Sequence, residues 1–459
     1  MIVIMSDEHN PAVTGCYGND LIETPNLDRL ARDGITFDNC YTNSPICVPS
    51  RLSFTAGQYV SGVSAWNNDC RLADSVPTLP RVLERFGHES FLIGKMHYDS
   101  DRRYGFREIG EAWTNRRNKE GTGGRRAPYA TRNHAGKWAR RVRGFDTGNE
   151  SRVLSHDREV TERTVNFLDD QSKEDDPFFL LCGYLAPHFP LTVPEEYYRM
   201  YNGKTPLPEL PPGHLETQNR NYHQLRRGFG VLDTEPEVVQ RGRDLYYGLT
   251  TWLDEQVGRV LDAIEDSEVA DNTVVIYTSD HGEMAGEHGM WWKNTMYEAS
   301  ARVPLIVSWP ERWSGGQRRT EVCSLVDVVR TIADVSDAAS PEVWDGDSLL
   351  PWLDNPGHEW KDFAVSEYYS HNMASGFVMY REGSYKYVYH TPPVGYEYPA
   401  ERELYDLESD PQEFRNLANV PEHRGRVERM HAEMVRELGE EPDRTERRSV
   451  AELNRGYPA

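Results

Sequence analysis

The sequence predicts an α/β fold, a large and mostly parallel sheet sandwiched by helices, followed by a smaller C-terminal domain of antiparallel sheet plus helix. Three observations carry this. Apolar, β-rich runs such as IVIM, FLIG, FFLLCGYLA and TVVIYTS alternate with amphipathic helical stretches, the pattern of strand–helix–strand units in a parallel sheet. Several of those runs end abruptly in a carboxylate, a lysine or a histidine, and ligands of open α/β sheets lie beyond the carboxyl ends of the strands. From about Asp345 the character changes to short alternating runs with tight turns. The chain is therefore divided into residues 1–345 and 346–459.

Taken in order, Ile2 to Met5 is the first core strand, and it gives way to the polar Ser6 and Asp7. In TPNLDRLARDG, Thr24 is placed as N-cap and Pro25 at the first helical position. Leu27, Leu30 and Ala31 form an apolar stripe there, and Gly34 ends the helix. ITFDNCYT reads as a strand, and PTLPRVLERFG as a helix leading into the strand ESFLIGK. Residues 114–144, rich in Arg, Gly and Asn with little periodicity, read as a long insertion or lid. DDPFFLLCGYLAPH and DNTVVIYTSDHGE then repeat one design, a buried strand ending in titratable residues. Further on, GFVMYREGSYKYVYH predicts an antiparallel hairpin or meander with REGS as its turn. RVERMHAEMVREL predicts an amphipathic helix, and the polar tail after Glu440 a surface arm.

Composition narrows the function classes. With 38% apolar and 27% charged residues over 459 positions, the chain is globular and long enough for a large core. The longest apolar run is too short to span a bilayer, so no membrane partner is expected. A net charge of −23 disfavours nucleic acid. Cysteines at 16, 40, 47, 70, 182 and 323 show no paired spacing, so neither a disulfide framework nor a zinc site is expected. The chain opens directly into MIVIM without a basic start and a cleavable apolar segment, and a cytoplasmic location follows as the expectation. A homo-oligomer is left open.

The chemistry concentrates at the strand ends. Asp7 and the Asp280–His281 pair combine hard oxygen donors with an imidazole, a donor set for one divalent cation. Ca²⁺ is the first choice, but it prefers all-oxygen shells, so His281 makes Mn²⁺ or another ion a competitor. Lys95 and His97 in GKMHY lie two apart, on one face of an extended chain, and can converge on one anionic group. His188 in APHFP sits between two prolines, and Lys293 in GMWWKNTMYE follows the metal pair. Each alone is an ordinary turn carboxylate, surface lysine or satisfied histidine. Together they surround a cation with fixed positive charge, which transfer of a tetrahedral anionic group requires. SPICVPSRLS adds a candidate nucleophile, Cys47, with Pro49 and Arg51 beside it, neighbours that a merely buried thiol does not need.

CVPSR resembles the CxPSR element of the type I sulfatases, within the alkaline phosphatase superfamily. SDEHNPAVTGCYGN with TPNLDRLARDGITFDNCYT is similar to that family's opening, and GKMHY to its GKxH. APHFP, YTSDHGEMAGEHGMWWK and LYDLESDPQEFRNLA also have counterparts, so the resemblance spans the chain in order. One departure is informative. Many sulfatases open with two adjacent aspartates and later carry Asp-Asn, whereas Asp7-Glu8 and Asp280-His281 resemble the choline-sulfatase and phosphonate-monoester-hydrolase branch.

The resemblance implies an alkaline phosphatase-like fold with residues 1–345 as the catalytic domain. It also implies that Cys47 is oxidised to formylglycine by a formylglycine-generating or sulfatase-maturating enzyme. Asp7, Asp280, His281 and the modified Cys47 would hold the cation. One hydroxyl of the hydrated aldehyde would attack sulfur. His188 and Lys293 would bind the sulfate and help protonate the leaving alcohol, His97 with Lys95 would take a proton from the second hydroxyl, and Arg51 would neutralise charge near the nucleophile. Asn68 in WNND is the implied sulfate contact, and His371 in EYYSHN a substrate contact from the second domain. A sulfate monoester, small or saccharide, is the expected substrate. The alternatives are a phosphonate monoester or phosphodiester hydrolase using the same site, and an unmodified, non-catalytic binder of sulfated ligands.

Overall fold

A computed structural model of the chain describes residues 1–99, 101–110, 135–171, 176–370 and 372–455. Its centre is a nine-stranded sheet. The strands are β1 (Ile2–Asp7), β2 (Ile35–Tyr41), β3 (Glu89–Gly94), β4 (Arg107–Ile109), β6 (Phe178–Pro187), β8 (Val275–Ser279), β9 (Arg302–Val303), β10 (Leu305–Ser308) and β11 (Gln317–Ser324). The short β5 (Asp146–Thr147) and β7 (Thr192–Val193) pair separately. The order is β11-β2-β10-β8-β1-β6-β3-β4, with β9 beside β2. β8, β1, β6, β3 and β4 run parallel to one another, whereas β10 is antiparallel to both β2 and β8.

Burial on both faces explains why these strands read as continuous apolar runs. In β1, Ile2 and Ile4 face a core shared with Leu245, Leu253 and Val257 of the long helix Pro236–Glu265. Val3 and Met5 face the other side, against Val48 and Leu52 of the helix Cys47–Ala56 and Val329 of the helix Leu325–Val335. The result is the three-layer α/β sandwich that the alternation of strands and helices predicts.

The sheet's carboxyl edge is shaped by two glycines. Gly94 ends β3 at φ 88°, and a Cβ there would run into the Gly183 carbonyl; one on Gly183 would run into the backbone of Lys95. Without side chains, β3 and β6 approach closely, and Lys95 N–H donates to Gly183 O at 2.8 Å, which turns Lys95 across the strand ends. Beyond β6, the Asp157 carboxylate accepts from the backbone N–H groups of Leu185 and Ala186 at 2.8 and 2.7 Å and so holds the turn that carries His188.

A four-stranded antiparallel sheet follows, β12 (Phe363–Tyr368), β13 (Phe377–Glu382), β14 (Tyr385–His390) and β15 (Glu401–Asp406), in that order. Gly383, at φ 51°, makes the β13–β14 turn within the REGS stretch. β12 docks onto the segment between β2 and Cys47: Glu367 N–H donates to Asn43 O at 3.0 Å, and Ser44 Oγ donates to Glu367 O at 2.7 Å. Three local expectations change. Thr24 does not cap its helix; its hydroxyl accepts from Gly15 N–H, and the Asp254 carboxylate takes the N–H groups of Asn26 and Leu27. Within 114–144, residues 135–143 form a helix, while 114–134 lie outside the described residues. The polar tail is no free arm: Pro442–Arg455 is a helix whose Glu452 accepts from Trp66 Nε1 at 2.6 Å. Among the described residues, no helix is long and apolar enough to cross a membrane.

Burial raises the Glu367 carboxyl from 4.5 to about 7. Its protonated form supports the fold fully below about pH 4.5, and that contribution is lost as pH rises through about 7. Glu367→Gln keeps an acceptor for Ser61 N–H. Urea unfolding across pH is expected to show a flattened decline between these limits and a gain of up to about 3 kcal/mol at pH 8.

Candidate active site

Cys47 is the first residue of the helix Cys47–Ala56. Pro49 fits in that first turn, where backbone N–H groups lack intrahelical partners anyway. Arg51, one turn on, projects from the same side as Cys47. Its guanidinium is wholly buried and forks between strand ends: Nε to Asp280 Oδ2 at 2.8 Å, Nη2 to Asp7 Oδ2 at 3.1 Å, and Nη1 to Lys95 O at 2.6 Å. Ser50 Oγ adds a bond to Asp280 O at 2.7 Å.

Around this fork one ligand atom from each of Asp7, Cys47, Asp280 and His281 lies within 4.8 Å of the others, all buried. His281 Nδ1 faces Gly282 O at 3.1 Å. Donation there places the lone pair on Nε2, which sits 3.3 Å from Cys47 Sγ, 3.6 Å from Asp280 Oδ1 and 3.9 Å from Asp7 Oδ1. Two carboxylates and an imidazole with its outer nitrogen tied to a backbone carbonyl fit a divalent cation. Burial would raise the Asp7 carboxyl, but Lys95 first, then His188 and Arg51, hold it well below the usual range. Burial, reinforced by Asp7, pushes the Cys47 thiol up to about 12.

Fixed cations line the rest. Lys95 Nζ pairs with Asp7, and Lys293 Nζ with Glu8. His188 Nδ1 faces Phe189 O at 2.5 Å, so its Nε2 looks toward Glu8 Oε2 at 3.5 Å and Asp7 Oδ1 at 4.0 Å. Burial and then Lys293 lower His188 well below its ordinary value; burial and Lys95 do the same for His97, whose Nδ1 has no partner. His97 takes φ 59°, which turns it out of the strand direction.

The nine residues Asp7, Cys47, Arg51, Lys95, His97, His188, Asp280, His281 and Lys293 thus lie at the strand ends, most within direct contact of one another. Asn68 lies beside them at the start of the helix Cys47–Ala56, with its Oδ1 accepting from Val48 N–H at 3.1 Å. His371 lies outside the described residues.

Three groups escaped sequence reasoning. Glu8, given no role there, is wholly buried against Lys293 and pushed up to about 8 by burial. Glu283, pushed up to about 7 by burial, accepts from the N–H groups of Ala285 and Trp292 and so folds the segment that carries Lys293. Arg141, on the helix Ala135–Arg143, stands 5.1 Å over Phe189, which stacks on His188 at 4.2 Å. For Glu283, its place two residues after His281 was the one available signal.

The Sulfatase family model matches residues 1–338, and the C-terminal model of N-sulphoglucosamine sulphohydrolase matches 286–440. The chain belongs to the sulfatase family. This sulfatase is 31% identical to a choline-sulfatase of Rhizobium meliloti, over 95% of this chain and 85% of the relative. It is 29% identical to an arylsulfatase of Clostridium perfringens, over 100% and 98%. Its fold matches a protein solved with its substrate D-glucosamine-2-N,6-O-disulfate at TM-score 0.76 and 23% identity, over 96% and 99% of the two chains. It matches the phosphonate monoester hydrolase of Silicibacter pomeroyi at TM-score 0.76 and 23% identity, over 96% of each. The sulfatase is thereby placed in the alkaline phosphatase superfamily.

Arg51→Met would leave Asp7 and Asp280 buried without the cation between them. We expect the sulfatase to lose about 3–5 kcal/mol of stability, read by denaturant unfolding. Arg51→Lys, which keeps the charge but not the fork, should recover part of it.

Proposed function

We propose that this sulfatase hydrolyses a sulfate monoester of a carbohydrate, with position 47 as formylglycine and one divalent cation held by Asp7, Asp280, His281 and residue 47. Ca²⁺ is the first choice of ion, with Mn²⁺ or another divalent ion competing because His281 supplies nitrogen. The observation that carries this is the four-donor cluster beside the buried cations Arg51, Lys95 and Lys293. When present, the cation polarises a sulfate oxygen and the hydrated aldehyde supplies a hydroxyl nucleophile.

The chain's own groups divide the remaining work. Lys293 and His188 stand on the Glu8 side, where they bind sulfate oxygens and face the leaving alcohol. His188 is neutral in the free protein; a sulfate ester's negative charge beside Nε2 favours the protonated ring, so its proton is available only with substrate in place. His97, with Lys95 beside it, holds an unpartnered Nδ1 as a proton acceptor. Arg51 fixes both aspartates. Asn68 caps the nucleophile helix and sits within reach of the sulfate.

Cys47 is only 2% exposed, so a formylglycine-generating or sulfatase-maturating enzyme must meet CVPSR before the chain closes over it. No disulfide is formed among the described cysteines, which supports a cytoplasmic location. Residues 1–345 are the catalytic domain and 346–459 the smaller one that walls the site.

A sugar is favoured over choline by electrostatics. The helix bearing Arg140, Arg141 and Arg143 approaches His188 through Phe189, which repels a quaternary ammonium and suits an anionic saccharide. A second reading, phosphonate monoester or phosphodiester hydrolysis at the same site, draws on the Asp280–His281 pair. Rates on matched aryl sulfate, phosphodiester and phenylphosphonate esters separate the two.

Mass spectrometry of the Cys47 peptide from active enzyme should show sulfur replaced by oxygen with loss of two hydrogens. Cys47→Ser should abolish multiple turnover; full turnover by that variant would sink the mechanism. Chelation should lower the melting temperature, and a divalent ion at about a hundredfold over its Kd should add about 2.7 kcal/mol.

Arg141→Ala should raise KM severalfold for a sulfated sugar and leave it nearly unchanged for an aryl sulfate.

A further inference from the structure

Asn372 stands out among the buried polar side chains. It is 1% exposed, and both its Oδ1 and its Nδ2 lack a hydrogen-bond partner. Buried amides are nearly always paired, because leaving both groups unpaired is costly. Its backbone holds φ 63°, in the left-handed region that asparagine tolerates better than most residues. The amide lies flat against the bare Cα of Gly228, where any Cβ would run into it. A left-handed backbone and a missing side chain opposite thus both serve to place an amide that has no hydrogen-bond partner among the described residues.

The surroundings locate it. β12, the strand that leads to Asn372, is tied to both segments that flank the nucleophile. Glu367 bonds Asn43 and Ser44, and the Tyr368 hydroxyl accepts from Asn294 Nδ2 at 2.8 Å, one residue past Lys293. Tyr369 packs edge-on against Trp66, 5.1 Å away, at the start of the loop that carries Asn68. On the other side, Gly228 precedes Phe229, whose ring meets Trp292 at 5.1 Å; Trp292 in turn meets Phe189, the neighbour of His188. Asn372 therefore stands between two segments, β12 and the end of the helix Arg220–Phe229, that each touch a neighbour of Lys293 or His188. It is buried as deeply as Cys47, which is 2% exposed.

We propose that Asn372 is a substrate-binding residue on the leaving-alcohol side, its amide donating to one hydroxyl and accepting from another of a polyol such as a sugar ring. This rests on the sulfate-ester function proposed above and extends it to the alcohol. A donor and an acceptor on one amide carbon match neighbouring ring hydroxyls and have nothing to offer a trimethylammonium group or an unsubstituted aryl ring.

The test uses full-length protein carrying Cys47→Ala, so that ligands bind without turnover. Affinities for inorganic sulfate, D-glucosamine 6-sulfate and 4-nitrophenyl sulfate are measured by calorimetry, in parallel with and without Asn372→Gly. Glycine keeps the left-handed backbone and removes only the amide. The expected result is an affinity for the sulfated sugar weakened about tenfold or more, with inorganic sulfate and the aryl ester changed less than about twofold and the melting temperature unchanged or raised. Gly228→Ala, which displaces the amide, should reproduce this pattern. Equal weakening of all three ligands with a lowered melting temperature would make the amide structural and overturn the proposal. So would a sulfated sugar bound no more tightly than inorganic sulfate, or one indifferent to both substitutions. Failure of the parent protein to bind inorganic sulfate at all would instead overturn the sulfate-ester function itself.

Discussion

The buried guanidinium of Arg51 is the contact on which the site's geometry depends. It joins the nucleophile helix to the ends of β1 and β8 and to the backbone just past β3, through Asp280, Asp7 and the Lys95 carbonyl. A charge taken wholly out of water is tolerable only when fully paired, and here the pairing partners are the same carboxylates that can hold a cation. Arginine is required rather than lysine because one planar fork must satisfy three acceptors at fixed angles. Cys47 therefore cannot shift relative to Asp7 and Asp280 without breaking a buried ion pair, and its place among them is fixed before any ligand arrives.

The second sheet extends that rigidity to the substrate side. β12 bonds to Asn43 and Ser44, immediately before the nucleophile, and Tyr368 receives Asn294, immediately after Lys293. The C-terminal helix clamps Trp66 through Glu452, at the loop whose Asn68 caps the nucleophile helix. The second sheet and the C-terminal helix thus buttress the segments beside residue 47, through Ser44 before it and through the loop of Trp66 and Asn68 after it.

Much of this was legible in the sequence because its signals are local. Strand runs ending in Asp7, Lys95, His188 and Asp280 place their chemistry by the single rule that ligands gather at the carboxyl edge, and Cys47 with Pro49 and Arg51 forms one short motif. What was not legible depends on distant partners. Thr24 has the right chemistry for a cap, yet Asp254, far along the chain, takes the free N–H groups and leaves the Thr24 hydroxyl to Gly15. The tail after Glu440 is polar on most of its surface, and it is partners remote in sequence, Trp66, Ser61, Gly376 and Tyr389, that give its helix something to grip. Glu8 and Glu283 look like surface acids until the fold buries them beside Lys293. Asn372 carries no sequence signal at all, since its oddity is a missing partner.

The charges also bear on which ester suits the site. Four carboxylates, Asp7, Glu8, Asp280 and Glu283, are buried with three fixed cations, Arg51, Lys95 and Lys293. Burial pushes Glu8 to about 8 and Glu283 to about 7, as expected where negative charge is in excess and poorly solvated. On the proposed function, a divalent cation turns an excess of one negative charge into an excess of one positive charge, with every carboxylate ionised. A sulfate monoester carries a single negative charge and brings that centre to neutrality. A phosphate monoester carries two and, while His188 is neutral, leaves a buried negative charge unpaired, which a low-dielectric site penalises. Diesters and phosphonate monoesters carry one charge, like the sulfate ester, so the same electrostatics that reject phosphate monoesters admit them. Discrimination within that singly charged set must come from the alcohol side of the cleft.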